Sequence, residues 1–168
     1  RNACKPGDII LTTGIHGLSK LGFLIQNKIN FDNEFSLNER LIIKSIEHFC
    51  RPRVYPNFLN NLLKTRSNKN IRRIGCTDSS DGLFQALQDL AIASNCKAII
   101  NYEKIPKDKD WPKGDKWDEY YFFGGEDYEL VFSLPKKWAE NLSKLDKNIN
   151  KIGFFTDGEP SIEFKDYK

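Results

Sequence analysis

The apolar, β-branched run Ile9-Ile10-Leu11-Thr12-Thr13 predicts a strand that ends at Gly14. Over residues 38–48, Leu41, Ile42, Ser45 and Ile46 recur at helical spacing, which predicts a helix closed by Arg51-Pro52. Another amphipathic piece covers residues 58–63, behind Pro56. A short strand over residues 73–77 sets Ile74 and Cys76 on one face and runs into Asp78-Ser79-Ser80-Asp81-Gly82. After that turn Leu83, Phe84, Leu87, Leu90 and Ala91 form one apolar stripe, so a helix is expected with Ser80 or Asp81 as its N-cap.

Further along, Ala98-Ile99-Ile100 predicts a buried strand, and the polar stretch 106–121 reads as a loop carrying Trp111 and Trp117. Tyr128, Leu130 and Phe132 alternate with Glu129, Val131 and Ser133, a strand signal directly after Gly124-Gly125-Glu126. Pro135 suits the first turn of a helix reaching Leu145, with strands following at 151–155 and 161–164. Alternating strands and helices imply an α+β fold, a mixed β-sheet flanked by α-helices.

Composition narrows the classes. A length of 168 residues suits a single domain over 1–168, and the 26 basic and 23 acidic residues are well mixed, giving a net charge of +3. That distribution forms no basic stripe, so a nucleic-acid partner is not expected. No apolar run approaches the roughly 18 residues of a membrane span, so no membrane partner is expected and the chain reads as cytoplasmic. The four cysteines, Cys4, Cys50, Cys76 and Cys96, lack zinc or redox spacing and read as buried free thiols. With no methionine and Arg1 at its start, the chain is expected to be a fragment or a processed product.

Asp78 and Asp81 flank Ser80 where a strand meets a helix, a place where backbone N–H groups and the helix dipole attract phosphate. Two acids there make chemical sense if a divalent cation lies between them, since magnesium binds a few carboxylates and completes its shell with phosphate oxygens and water. Helix capping explains the same residues equally simply. Gly124-Gly125-Glu126-Asp127 puts flexible backbone and two acids before a strand. The turn Gly14, Gly17, Gly22 could cradle phosphate but matches no phosphate-loop spacing. His16 and His48 have no evident catalytic partner, and Trp111, Trp117 and Tyr167 could stack on a flat ligand.

Together the motifs resemble one family. The opening Arg1-Asn2-Ala3-Cys4-Lys5-Pro6-Gly7-Asp8 resembles the segment that begins the second domain of thiamine-monophosphate kinases, in the aminoimidazole ribonucleotide synthetase superfamily. Thr13-Gly14 with Gly17, Ser19 and Gly22 resembles its glycine turn, Thr77-Asp78-Ser79-Ser80-Asp81-Gly82-Leu83 its I-D-x-S-D-G-L motif, and 124–130 its GGEDYEL segment. Lys151-Ile152-Gly153 and Phe164-Lys165-Asp166-Tyr167 resemble its closing strand and aromatic tail. Leu18 departs from an acid and Thr77 from an apolar residue.

The resemblance implies an ATP-dependent kinase that converts thiamine monophosphate to thiamine diphosphate with Mg2+. It implies that Asp78 and Asp81 are metal ligands, that Arg1 and Ser80 touch ATP, that Glu126 contacts thiamine monophosphate and that Tyr167 packs near its rings. It also implies an upstream metal-binding domain, which would build a homodimer and without which this chain should be inactive. Selenophosphate synthetase, the hydrogenase maturation protein and a non-catalytic nucleotide-binding module are the alternatives.

Overall fold

The computed structural model describes residues 1–29, 37–53, 55–70 and 72–166. Strands β1 (Asp8–Thr13), β2 (Gly75–Asp78), β3 (Lys97–Asn101), β4 (Leu130–Pro135), β5 (Ile149–Thr156) and β6 (Ser161–Lys165) form one sheet in the order β2-β4-β1-β5-β3-β6. All neighbours are antiparallel except β3 and β6, so the sheet is mixed, as the alternation of elements implied. The helices are α1 (Leu18–Gln26), α2 (Glu39–Cys50), α3 (Phe58–Thr65), α4 (Leu83–Ser94), α5 (Asp115–Phe123) and α6 (Lys136–Leu145).

Period-two alternation along the strands produces two cores. Ile10, Val131, Ile152, Ala98 and Ile100 face one side and meet Leu18, Leu41, Leu87 and Tyr121 from α1, α2, α4 and α5. Leu11, Phe132, Leu134 and Ile149 face the other and meet Leu62 of α3 with Trp138 and Leu142 of α6. The Trp138 indole is fully buried, and its Nε1–H donates to the Leu62 carbonyl at 2.8 Å, locking α6 to α3 without orphaning the ring's donor.

Two helices were not legible in the sequence. Glycine punctuation concealed α1, where Gly22 lies mid-helix because a Cβ there would stand 2.2 Å from the Ser45 carbonyl oxygen of α2. The expected 106–121 loop contains the start of α5, whose Trp117, Tyr121 and Phe122 are buried although its polar residues mask the stripe. Trp111 and Trp117 pack edge to face in the core, 6.2 Å apart, and are unavailable as ligand stackers. Pro135 ends β4 and caps α6 rather than entering its first turn. Only Cys4 and Cys96 are buried; Cys50 is exposed and Cys76 half-buried.

The Asp8 carboxylate, 2% exposed, accepts hydrogen bonds from both terminal nitrogens of Arg73 and from the Lys5 backbone N–H at 2.9 Å. This fork ties the start of β1 to the approach to β2. Arg73→Leu would strand a buried carboxylate, and urea unfolding at neutral pH should show a loss of about 3 kcal/mol. The same substitution made on an Asp8→Asn background should cost markedly less, whereas an undiminished loss there would assign the effect to packing of the arginine stem.

Candidate active site

Strand β2 ends at Asp78 and α4 begins at Leu83, and the turn between them closes through the Gly82 N–H to the Ser79 carbonyl at 3.1 Å. Gly82, with φ 96°, is the N-cap of α4, and no side chain caps it. The capping role expected for Ser80 or Asp81 is therefore corrected. The Ser80 hydroxyl turns back to the Asp78 carboxylate and is the main reason that group sits below the ordinary carboxylate range; backbone N–H groups and the Arg1 charge add to it against partial desolvation. Asp78 and Asp81 are exposed and Ser80 is half-buried, so two acids stand beside a helix start left without a side-chain cap.

The second motif is zipped onto the first. Beyond the register pair Asp78 and Leu130, the Ser79 N–H reaches the Glu129 carbonyl at 2.9 Å and the Glu129 N–H reaches Ser79 Oγ at 3.1 Å. The Glu126 N–H then donates to the Ser80 carbonyl at 2.8 Å. Residue 125 must be glycine for this approach, because a Cβ would stand 2.3 Å from that same oxygen. Two non-glycine residues, Glu126 at φ 69° and Tyr128 at φ 53°, occupy the left-handed region. Such backbone strain is held at functional segments by its surroundings. It delays the strand, expected from Tyr128, until Leu130.

The strained stretch sorts its side chains. Glu126 and Tyr128 face solvent, with the Tyr128 hydroxyl donating to Glu126 Oε2 at 2.7 Å, while Asp127 and Glu129 point inward, each 1% exposed. Asp127 accepts the N–H groups of Gly17 at 2.6 Å and Ser19 at 2.9 Å, at the start of α1. Glu129 accepts the Thr13 hydroxyl at 2.5 Å and the Tyr55 hydroxyl at 3.1 Å. A Cβ on Gly14 would stand 1.9 Å from the Glu129 carboxylate, so this glycine turn is shaped around the protein's own acids. Gly17 and Ser19 have given their N–H groups to Asp127, and Gly22 is inside a helix, which removes the turn as a phosphate cradle.

Both histidines prove to be partnered. His16 Nε2 lies 2.7 Å from Thr12 Oγ1, and His48 Nδ1 lies 3.0 Å from Ser19 Oγ. The His48 ring nitrogens are 3.7 Å from Asp127 and from Glu129. Burial pushes the His16 imidazole down to about 4, with the Glu129 charge pulling it up and His48 pushing it down. Burial pushes the Asp127 carboxyl up to about 6 against the two α1 N–H groups and His48.

Of the residues implied by resemblance, Asp78, Ser80, Asp81 and Glu126 come together on this shelf. Arg1 lies along α4, with Nη1 2.5 Å from Asp89 Oδ2, yet its charge still reaches Asp78. Tyr167 lies outside the described residues. Tyr128, 44% exposed, and Phe123, 59% exposed, are aromatic neighbours of the shelf that the sequence reading did not single out. Phe123 sits 5.0 Å from Phe84, and Gly82 lies against the backbone of Phe122 and Phe123. The Phe-Phe pair preceding Gly-Gly was the available signal. Among the described residues no group of three His, Cys, Asp or Glu side chains is placed to hold a metal ion. Asp78 and Asp81 are exposed carboxylates, the ligand type a hard divalent cation takes, and on their own they are too few to complete its shell.

Comparison with known proteins fits this arrangement. Residues 5–165 match the family described as AIR synthase related protein, C-terminal domain. The chain belongs to that family. It is 35% identical to a thiamine-monophosphate kinase of Prochlorococcus marinus over 94% of its length, and spans 47% of that relative. The chain thus spans about half the length of the curated relatives it matches. Its fold superposes on a solved structure of AaThiL complexed with AMPPCP and TMP with a TM-score of 0.74 at 25% identity, covering 99% of this chain and 52% of that one. Escherichia coli HypE, a hydrogenase maturation protein, shares the fold alone, with a TM-score of 0.66 at 16% identity over 97% of this chain and 47% of that one.

The buried titrating groups make a two-sided prediction. In an unfolded chain His titrates near 6.5 and Asp near 3.9. The His16 contribution to stability is complete above about 6.5 and is lost as pH falls towards 4; the Asp127 contribution is complete below about 3.9 and is lost as pH rises through 6. In urea unfolding at several pH values, wild type minus His16→Gln should therefore rise with pH across this window, and wild type minus Asp127→Asn should fall. Flat differences would mean that neither group is held neutral by burial.

Proposed function

We propose that this chain is the ATP- and substrate-binding half of a thiamine-monophosphate kinase, which transfers the γ-phosphoryl group of ATP to thiamine monophosphate, giving thiamine diphosphate and ADP. The observation that carries this reading is the junction of 78–82 with 124–129, which gathers Asp78, Ser80, Asp81 and Glu126 on one open shelf at the α4 N-terminus. The likeness to thiamine-monophosphate kinases supports it.

In this reading Ser80, Arg1 and the uncapped N–H groups of α4 bind the ATP phosphates. Asp78 and Asp81 would repel those phosphates unless a cation intervened, so they hold Mg2+, which when bound neutralises charge on the transferring group. The hydrogen bond from Ser80 keeps Asp78 ionised for that role. Glu126 contacts thiamine monophosphate, held in place by Tyr128, while Tyr167 and the exposed Phe123 offer faces to its rings. No general base is required, because a phosphate monoester acceptor has a second pKa of about 6 and is largely dianionic at neutral pH. Positioning and charge neutralisation then suffice. A second, metal-binding domain completes the site and forms a homodimer, and the enzyme works in the cytoplasm on small molecules, without nucleic acid or membrane.

The test is to mix the chain with the N-terminal half of a related kinase and follow Mg2+-dependent formation of thiamine diphosphate. Asp81→Ala should lower turnover at least about a hundredfold with the fold intact by circular dichroism. Glu126→Gln should mainly raise KM for thiamine monophosphate. Absence of product from halves that demonstrably associate would leave a nucleotide-binding module of the same fold.

A further inference from the structure

The two faces of the sheet are unequally covered. On the first face α4 reaches from β2 and β4 across to β3 and β6. On the second, α3 and α6 lie over β4, β1 and the near part of β5, and among the described residues no helix continues over β3 and β6. A groove of about 280 Å3 occupies the uncovered half. Its floor is apolar, made of Ile9, Ile99 and Phe154 beside Gly153, and the Phe154 ring is 38% exposed. Lys104, Lys136, Lys151 and Lys165 stand around it with Glu140 as the one acid.

None of these four lysines takes part in an ion pair among the described residues. The Glu163 carboxylate, on the same face of β6, is 2.5 Å from Lys97, and the Lys165 charge reaches it more weakly. Lys165 Nζ lies 5.4 Å from the Phe154 ring centroid. The lining of the groove thus combines an apolar floor with four lysines against one acid. Converging like charges are unfavourable unless a counter-charge is supplied. Lysine is also depleted at the cores of protein interfaces, which argues against another protein domain as the occupant.

We propose that this groove binds a small aromatic phosphate, its ring on Phe154 and Ile99 and its dianionic phosphate among Lys104, Lys151 and Lys165. A phosphate monoester carries close to two charges and three acceptor oxygens, which match several ammonium groups better than a single carboxylate does. The size of the groove suits one ring system with its phosphate, at the lower end of the usual range for ligand sites. This site is separate from the acidic shelf and independent of the kinase reading. Strand β2, which carries Asp78, lies four positions from β3 in the sheet, or about 19 Å at the usual strand spacing.

The test measures binding of 1-naphthyl phosphate to the chain by calorimetry at low salt, beside inorganic phosphate and uncharged 1-naphthol. Expected is saturable binding, with both comparators weaker by at least about tenfold and the affinity falling as salt rises. The pair Lys151→Gln with Lys165→Gln should weaken binding about tenfold, Phe154→Ser should weaken 1-naphthyl phosphate but not inorganic phosphate, and Ser80→Ala should leave it unchanged. Lys151, Phe154 and Lys165 are exposed, so their substitution leaves the core intact. Equal binding of inorganic phosphate, or undiminished binding by the lysine pair variant, overturns the proposal. So does a lysine pair variant that fails to associate with the N-terminal half of a related kinase, which would make the face a domain contact.

Discussion

A carboxylate removed from water must find its hydrogen bonds inside the protein, and the folded centre of this chain is organised by how Asp127 meets that demand. Its two oxygens take the N–H groups of Gly17 and Ser19, satisfying a buried acid and a helix start together. Because α1 follows β1 by a short turn and Asp127 lies three residues before β4, this contact fixes where the chain leaves β1 and where it begins β4, two strands paired within the sheet. Two residues later Glu129 is satisfied in its turn by the hydroxyls of Thr13 and Tyr55. His16 and His48 complete the polar layer, held between the sheet and α2.

The inward pull on Asp127 and Glu129 is what turns Glu126 and Tyr128 outward. A regular strand would give that alternation without strain, but here Glu126 and Tyr128 enter left-handed backbone, which is costly for residues with a Cβ. The cost is offset by the buried hydrogen bonds on either side and by the bonds to Ser79 and Ser80. The shelf is consequently rigid in its backbone while its acids remain solvated. That combination suits groups that must meet charged ligands, since exposed carboxylates need not be desolvated in advance.

The sheet itself is stabilised asymmetrically. One core engages four helices, and the other is closed by α3 and α6 through Leu62 and the Trp138 indole. The half left open carries lysines in place of a helix, and their long stems cover apolar surface while their charges stay in water.

The sequence by itself determined the alternation of strands and helices, and with it the mixed α+β sheet, because period-two and helical apolar spacing survive in each strand and in α2, α4 and α6. It also marked 78–82 and 124–129 as chemically unusual, since paired acids beside glycines are readable without coordinates. It could not show α1, where Gly22 answers the carbonyl of Ser45 and Gly14 in the preceding turn answers the acid of Glu129, nor α5, whose buried aromatics lie among charged residues. Likewise, which acids of Glu126-Asp127-Tyr128-Glu129 serve a ligand and which serve the fold was a tertiary decision. Identical side-chain chemistry becomes a solvated acid at Glu126 and a buried helix anchor at Asp127 only when α1 is brought against the start of β4, a meeting set by contacts more than 100 residues apart in the chain.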